Sequence, residues 1–484
     1  MKIRVLGGVD MRARNERYLS RLISAVQKPP MATLAAGAGA KADSPPAEFT
    51  WREYAVFLLS TAAEIEHSLM VQYLFAGWSL GGPQVPEEHH DAVARWRQII
   101  LGIAKEEMGH LATVQNLIRF LGAPLALDRE DYPWDSKLAP YPFVLERLTR
   151  TTLAKYIIAE SPVTWPDDVS LAERREIESL AAGPGAQKVN RVGALYEELI
   201  DLIGDASKLP TSEFHPDTYP TQSSWDEYAR GYGKGARGSS IAGTTKTPDV
   251  LVMQALSRKD ALDALKAVAE QGEAPDKGTA ADDEASHFRR FLRVFREFPK
   301  DGAWEATIAV PTNPVAPGLP AGTDQSAIED EQAGLWANIF NTRYRMLLSF
   351  LAHSHSSPGA AGLVQRQGVL INRMFGEMYN LRAIASVLTR LPLKAGGDTR
   401  AGPPFQMPYT LQLPDNDAAF WRLHLDLLEA CRVLLENSAI SCGEAAEYAV
   451  ALLSLDSVAS EEMTLYATAS EVRTGARRST GAIG

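Results

Sequence analysis

Two Glu-x-x-His motifs, Glu107 with His110 and Glu284 with His287, constrain what this chain can fold into more than any other feature. Each pair is spaced i, i+3 within an apolar-periodic stretch, so both members point where the hydrophobic residues point. Around the first motif the stripe reads Trp96, Ile99, Ile103, Val114, Leu117 and Leu121; around the second it reads Phe288, Phe291 and Phe295. A carboxylate that faces a core must protonate or find a cation. Two such motifs, joined by two further inward glutamates, form the ligand set of a carboxylate-bridged dimetal centre in a helical bundle.

The chain offers candidates for those two glutamates. A long helix is predicted from Thr50, an N-cap with Glu53 in the capping-box position, to Gly81-Gly82-Pro83. Its core stripe is Leu59, Ala62, Glu66, Leu69, Tyr73 and Ala76. A second helix runs from about His90 to Leu121 and stops at Gly122-Ala123-Pro124. With the loop centred near Pro86, Glu66 lies about as far before the turn as Glu107 lies after it. At ~1.5 Å per residue this puts both carboxylates at one level of the bundle. A third helix, 143–160, ends its inward series of Leu145, Leu148, Thr152 and Tyr156 on Glu160. A helix over 189–203 leaves Glu197 and Glu198 on its flanks, which ranks them below Glu160. Tyr73 is the candidate catalytic donor beside the metals, with a plain core tyrosine as the competing reading; Tyr156 invites the same pair of readings.

The remaining chain is divided by composition. Residues 1–46 form an arm with Pro29-Pro30 and Pro45-Pro46, and residues 47–300 form the bundle. Within the bundle, 204–247 is a long Gly-, Ser- and Tyr-rich insertion of the kind that often serves as a lid or binding loop. Helices are expected over 250–271 and 283–298. After a Pro-rich stretch with a short extended piece at 308–310 come helices over 328–353, 360–391, 417–437 and 442–470. Residues 301–470 make a C-terminal helical domain, and 471–484 a disordered tail. His89, His90, His215, His353, His355 and His424 belong to no motif, and Trp134, Trp165 and Trp225 sit in loops around the bundle.

Composition narrows the function. The 484 residues carry a net charge of −11 with no long basic run, which argues against nucleic-acid and anionic-membrane partners. No apolar run reaches the ~18–20 residues of a membrane span. The two cysteines, Cys431 and Cys442, lack metal-type spacing, so a reducing, cytoplasmic setting is expected. Mixed carboxylate and imidazole ligation suits two iron ions, with manganese compatible, and such a pair is suited to activating dioxygen.

At these residues the sequence resembles the ferritin-like family named after iminophenyl-pyruvate dimer synthase, the enzyme class of violacein and indolocarbazole biosynthesis. The similar stretches are EIEHSLMVQYLFA at 64–76, IAKEEMGHLATVQNLIRFLGAPL at 103–125, YIIAESP at 156–162, AVAEQGE at 267–273 and EASHFRRFL at 284–292. FNTRYRMLLSFL at 340–351 and AGPPFQMPYTLQLP at 401–414 match the family's C-terminal part. The resemblance implies an all-α fold, a ferritin-like four-helix bundle with an added C-terminal helical unit. It implies Glu66, Glu107, His110, Glu160, Glu284 and His287 as metal ligands. It also brings in Glu273 of the QGE stretch as rival to Glu160, and the choice among Glu160, Glu273 and Glu197 stays open here. The expected activity is a non-haem iron oxidase or oxygenase that uses dioxygen on a small amine-, imine- or aromatic amino-acid-derived substrate. A ferroxidase or iron-binding protein, or a non-catalytic helical binding protein, is the alternative. A homo-oligomer is compatible with all of these.

Overall fold

A computed structural model describes residues 44–46, 49–132, 140–183, 191–223, 250–273, 285–300, 302–318, 321–356, 366–407, 411, 413–414, 416–441, 443 and 445–480. The chain divides into two compact units. One comprises Met1–Ala126, Pro133–Val144 and Leu148–Thr307; the other comprises Leu127–Tyr132, Leu145–Arg147 and Ile308–Gly484. The expected N-terminal arm falls almost wholly outside the described residues, as do Glu284, Trp134, Trp225 and Cys442.

The first unit is built on two long helices, α1 (Trp51–Ser79) and α2 (His90–Phe120), packed along one another. The Thr50 side chain accepts from Glu53 N while the Glu53 carboxylate accepts from Thr50 N, so the capping box read from the sequence closes the first orphan donors of α1. At the other end of α2, Gly122 takes φ +69°, a conformation open to glycine, and Ala123 N donates back to Ile118 O. The remaining helices are short: α3 (Arg150–Ala159), α4 (Leu171–Ala182), α5 (Gly193–Gly204), α6 (Arg258–Glu273) and α7 (His287–Glu297). α3 packs on α7 and α5 on α6; α5 also meets α1, and both α6 and α7 meet α2. The faces opposite α1 and α2 are thus assembled from pieces instead of two continuous helices.

Three segments depart from the periodicity, each with a physical cause. The helix expected from 143 begins at Arg150, because the backbone before it is claimed by side chains from elsewhere. Leu148 N donates to Ser79 Oγ, and Leu145 N donates to Asn313 Oδ1 within the second unit. A capping box between Thr149 and Thr152 then starts α3. Residues 250–255 are irregular where a helix is expected. Met253 N donates to Thr113 Oγ1, Met253 O accepts from Asn116 Nδ2, and Gln222 brackets Ala255 at both its amide and its carbonyl. This segment lies close against α2 at Gly109, where an added Cβ would come within 2.5 Å of Leu251 O. Helix α4 has no counterpart in the periodicity reading, although Ser170 caps it by accepting from Glu173 N. The described part of the 204–247 stretch carries 3-10 turns at Thr211–Glu213 and Pro216–Thr221, and Ser223 is tied to Asn116 of α2. His215 lies at that end, its ring against Gly122.

The second unit opens on a two-stranded parallel pair, β1 (Pro314–Val315) and β2 (Ser326–Ala327), just beyond the extended piece expected at 308–310. Helices α8 (Glu331–Ser354), α9 (Arg366–Leu388), α10 (Asp417–Leu435), α11 (Ser438–Ser441) and α12 (Ala446–Thr480) follow. α12 continues as helix to Thr480, past residue 470, where a disordered tail is expected. The interior of the second unit holds Arg343 between Glu377 and Asp456, and the buried His353 donates through Nε2 to the half-buried Asp417 at 2.9 Å while its Nδ1 meets His424 Nε2 at 3.1 Å. Cys431 is a buried free thiol that desolvation pushes up to about 12, so it is inert rather than nucleophilic. Among the described residues no helix is long and apolar enough to cross a membrane.

Candidate metal centre

Five side chains predicted from the sequence meet inside the first unit. Glu66 comes from α1, Glu107 and His110 from α2, Glu160 from the C-cap of α3, and His287 is the first residue of α7. All five are buried, at 4% exposure or less. They form two groups that share Glu107: Glu66, Glu107 and His110 in one, Glu107, Glu160 and His287 in the other. Within each group the ligand atoms lie within 4.8 Å of one another. The i, i+3 spacing brings His110 Nδ1 to 2.8 Å from Glu107 Oε2 and 3.4 Å from Glu66 Oε2. His287 Nδ1 lies 2.9 Å from Glu107 Oε1 and 3.8 Å from Glu160 Oε2. The two imidazole rings are 5.4 Å apart, centroid to centroid, at 27°.

The outer nitrogen of each imidazole is already committed. His110 Nε2 donates to Gln271 Oε1 at 2.9 Å, and His287 Nε2 donates to Glu106 Oε2 at 2.9 Å. Both rings therefore turn Nδ1 toward the carboxylates, and a carboxylate or amide that orients the far side of a ligand histidine is a recurring support of metal sites. Glu106 is in turn held by both guanidinium nitrogens of the buried Arg290. Two phenols complete the frame: Tyr73 Oη donates to Glu160 Oε1 at 2.7 Å, and Tyr196 Oη donates to Glu66 Oε1. Tyr156 packs edge-on against Tyr73 at 4.6 Å, and its hydroxyl donates to Gln72 O at 3.4 Å.

The electrostatics ask for positive charge. Burial lifts the Glu66 carboxyl to about 8, with Glu107 adding to the effect. Burial works against the charged form of His110, yet Glu107 and Glu66 overcome it and raise the imidazole to about 10; Glu107 and Glu106 raise His287 in the same way. Burial also opposes ionisation of Glu106, but Arg290 and His287 outweigh it and hold that carboxyl down at about 2. Glu107, facing both imidazoles, is pulled well below the usual carboxylate range in spite of its burial. Glu107 Oε1 and His287 Nδ1 are buried and face each other at 2.9 Å, an ion pair when the imidazole is protonated, though not aligned as a hydrogen bond. A metal cation held by both atoms would take the place of that proton. The donor set, carboxylate oxygen and imidazole nitrogen without thiolate, suits iron or manganese.

The rival carboxylates stand elsewhere. Glu273 accepts from Gly193 N at 2.8 Å and pairs with Arg191 Nη2 at 2.8 Å, so its oxygens are engaged at the rim of the cluster. Glu197 is largely exposed, 3.7 Å from the same guanidinium. A cavity of about 20 Å³, bounded by the cluster on one side and by Val192, Gly193, Ala269 and Gly272 on the other, opens toward Glu273. It has room for about one water-sized molecule. Four supporting residues escaped the sequence reading: Glu106, Arg290, Gln271 and the phenol of Tyr196. Glu106 did carry a signal, standing three after Ile103 and four before His110 on the same stripe, and Arg290 follows His287 by one turn.

Residues 59–296 match the family described as Ferritin-like. Dichlorochromopyrrolate synthase of Lentzea aerocolonigenes is 26% identical over 382 residues, 71% of this chain and 35% of that protein. 2-Imino-3-(indol-3-yl)propanoate dimerase of Chromobacterium violaceum is 24% identical over 414 residues, 79% of this chain and 36% of that protein. The chain thus spans about a third of the length of these curated relatives. A ferritin-like protein of Caulobacter vibrioides, known from a crystal structure, aligns over 72% of this chain and 98% of its own, at 16% identity and TM-score 0.38.

Proposed function

We infer, for a chain whose residues 59–296 match the Ferritin-like family, that its buried carboxylate–histidine cluster binds two iron ions and uses dioxygen to oxidise a small organic molecule. Glu66 and His110 would hold one ion, Glu160 and His287 the other, and Glu107 would bridge them. The observation that carries this reading is the convergence of five buried ligand side chains into two groups that share Glu107, with the outer imidazole nitrogens already committed. Bound iron supplies the redox capacity for dioxygen that no side chain here has. The chain's own groups do the rest. Gln271 and Glu106 keep the imidazoles turned inward. Tyr73 and Tyr196 each hold a proton at a phenol oxygen against a ligand carboxylate, and burial keeps both protonated well above the ordinary phenol range. Tyr73, bonded directly to Glu160 of the second group, is the candidate to deliver that proton during turnover. Burial of the whole cluster excludes bulk water, which strengthens every charge interaction inside it.

The substrate reading draws on the curated relatives, one named a dichlorochromopyrrolate synthase and the other a dimerase of 2-imino-3-(indol-3-yl)propanoate. We assign this chain an imine- or amine-bearing aromatic substrate of specialised metabolism. The ~20 Å³ cavity is far below the roughly 300–1,000 Å³ of an organic ligand pocket. Access for such a substrate therefore requires α5 and α6 to part from the cluster. The test is dioxygen uptake by the iron-loaded, reduced protein, with and without aromatic α-imino acid. Uptake that the imino acid accelerates is expected. A protein that stays redox-silent would sink the oxidase reading and leave a binding protein.

A further inference from the structure

We propose that divalent metal reaches the centre along a file of carboxylates, Glu197 to Glu273 to Glu160, and that Arg191 plugs this route. The inference rests on the metal reading above. Three observations carry it. The first is a gradient of burial: the side chain of Glu197 is 65% exposed, that of Glu273 16%, that of Glu160 5% and that of Glu107 2%. A hydrated cation entering from solvent would exchange water for carboxylate oxygen step by step, and carboxylates lining a passage concentrate cations there.

The second observation is that the internal cavity joins Glu273 to the ligands Glu160, Glu66 and Glu107. Two glycines leave it open. A Cβ on Gly193 would fall 2.1 Å from Glu273 Oε1, and one on Gly272 would fall 3.0 Å from Glu160 Oε2. Side chains at either place would displace a carboxylate of the file.

The third is the position of Arg191. Its guanidinium lies 2.8 Å from Glu273 and 3.7 Å from Glu197, between the outer and the middle carboxylate, and its Nε donates to Ser161 O at 2.8 Å. A fixed monocation thus stands where a passing dication would stand. Glu273 would keep its bond from Gly193 N when the guanidinium leaves, so it can hand a cation inward without losing its own position.

The test is the rate of Co(II) uptake by the whole chain, followed by its d–d absorbance after rapid mixing, with the final stoichiometry measured separately. Wild type should reach two Co(II) per chain, one for each ligand group. Glu273→Gln, which preserves shape and the bond from Gly193, should reach the same stoichiometry about tenfold more slowly. Arg191→Met should load faster than wild type. Glu178→Gln, on the exposed face of α4, should change nothing. Wild-type speed in Glu273→Gln overturns the route, and unchanged or slower loading in Arg191→Met overturns the plug. Loss of one Co(II) in Glu273→Gln would make Glu273 a ligand and also overturns the route. No Co(II) uptake by wild type would fell the metal reading itself, and the route with it.

Discussion

At the scale of single residues, the site is a set of charges that stabilise one another and fail singly. Arg290 illustrates this. Both its terminal nitrogens serve Glu106, and Glu106 serves His287. Replacing Arg290 by Met would strand a buried carboxylate, a change that costs about 3–5 kcal/mol. Thermal denaturation of R290M should therefore show a clearly lowered Tm, and an unchanged Tm would contradict the assigned pairing. Protonation gives a second expectation. The His110 imidazole is raised from its ordinary 6.5 to about 10. In the metal-free chain its charged pairing with Glu107 and Glu66 contributes stability that is complete below pH 6.5 and lost as pH rises through about 10. Metal competes for the same nitrogen, so binding expels protons, and apparent affinity should climb between pH 6.5 and 10 by about tenfold per unit for each proton released. Calorimetric titration of metal in buffers of different ionisation enthalpy measures that release directly; a count of zero protons would refute the assignment.

At the scale of elements, the ligands are placed by helix ends as much as by helix faces. His287 is the first residue of α7, and Ser286 caps that helix by accepting from Arg289 N. Ser286→Ala should cost about 1 kcal/mol, read by chemical denaturation, and should weaken the metal held through His287 more than the one held through His110. The sequence revealed α1 and α2 almost to the residue, because each is a long amphipathic run with a punctuated start and stop. It placed Glu66 level with Glu107 for the same reason. The short elements were harder to read. Residues 143–148 and 250–255 have helix-like periodicity, yet their backbone groups bond to Ser79, Asn313, Thr113, Asn116 and Gln222, partners far away in sequence. Local propensity yields to such tertiary bonds. Glu106 was missed because one helix stripe was read as carrying a single pair of polar residues, while Glu106 and His110 share it too. The rivalry of Glu160 and Glu273 could not be decided by pattern: it turns on Arg191 and Gly193, which engage Glu273 from a different helix.

At the scale of the whole molecule, the ferritin-like segment holds every described group of the proposed centre, and the second unit carries a different kind of interior. There Arg343 sits between Glu377 and Asp456, a buried charge cluster with no metal-type grouping among the described residues. The chain covers about a third of the length of its curated relatives, so the metal chemistry assigned to it rests on the cluster, and only the substrate reading draws on their names. The central claim is that Glu107 belongs to two metal positions at once. Elemental analysis of iron-reconstituted protein tests it most directly, on wild type and on Glu107→Ala with matched circular dichroism. The account predicts two ions per chain in wild type, one for each ligand group, and loss of both in the variant. Two ions retained in Glu107→Ala, or none bound by wild type, would contradict it.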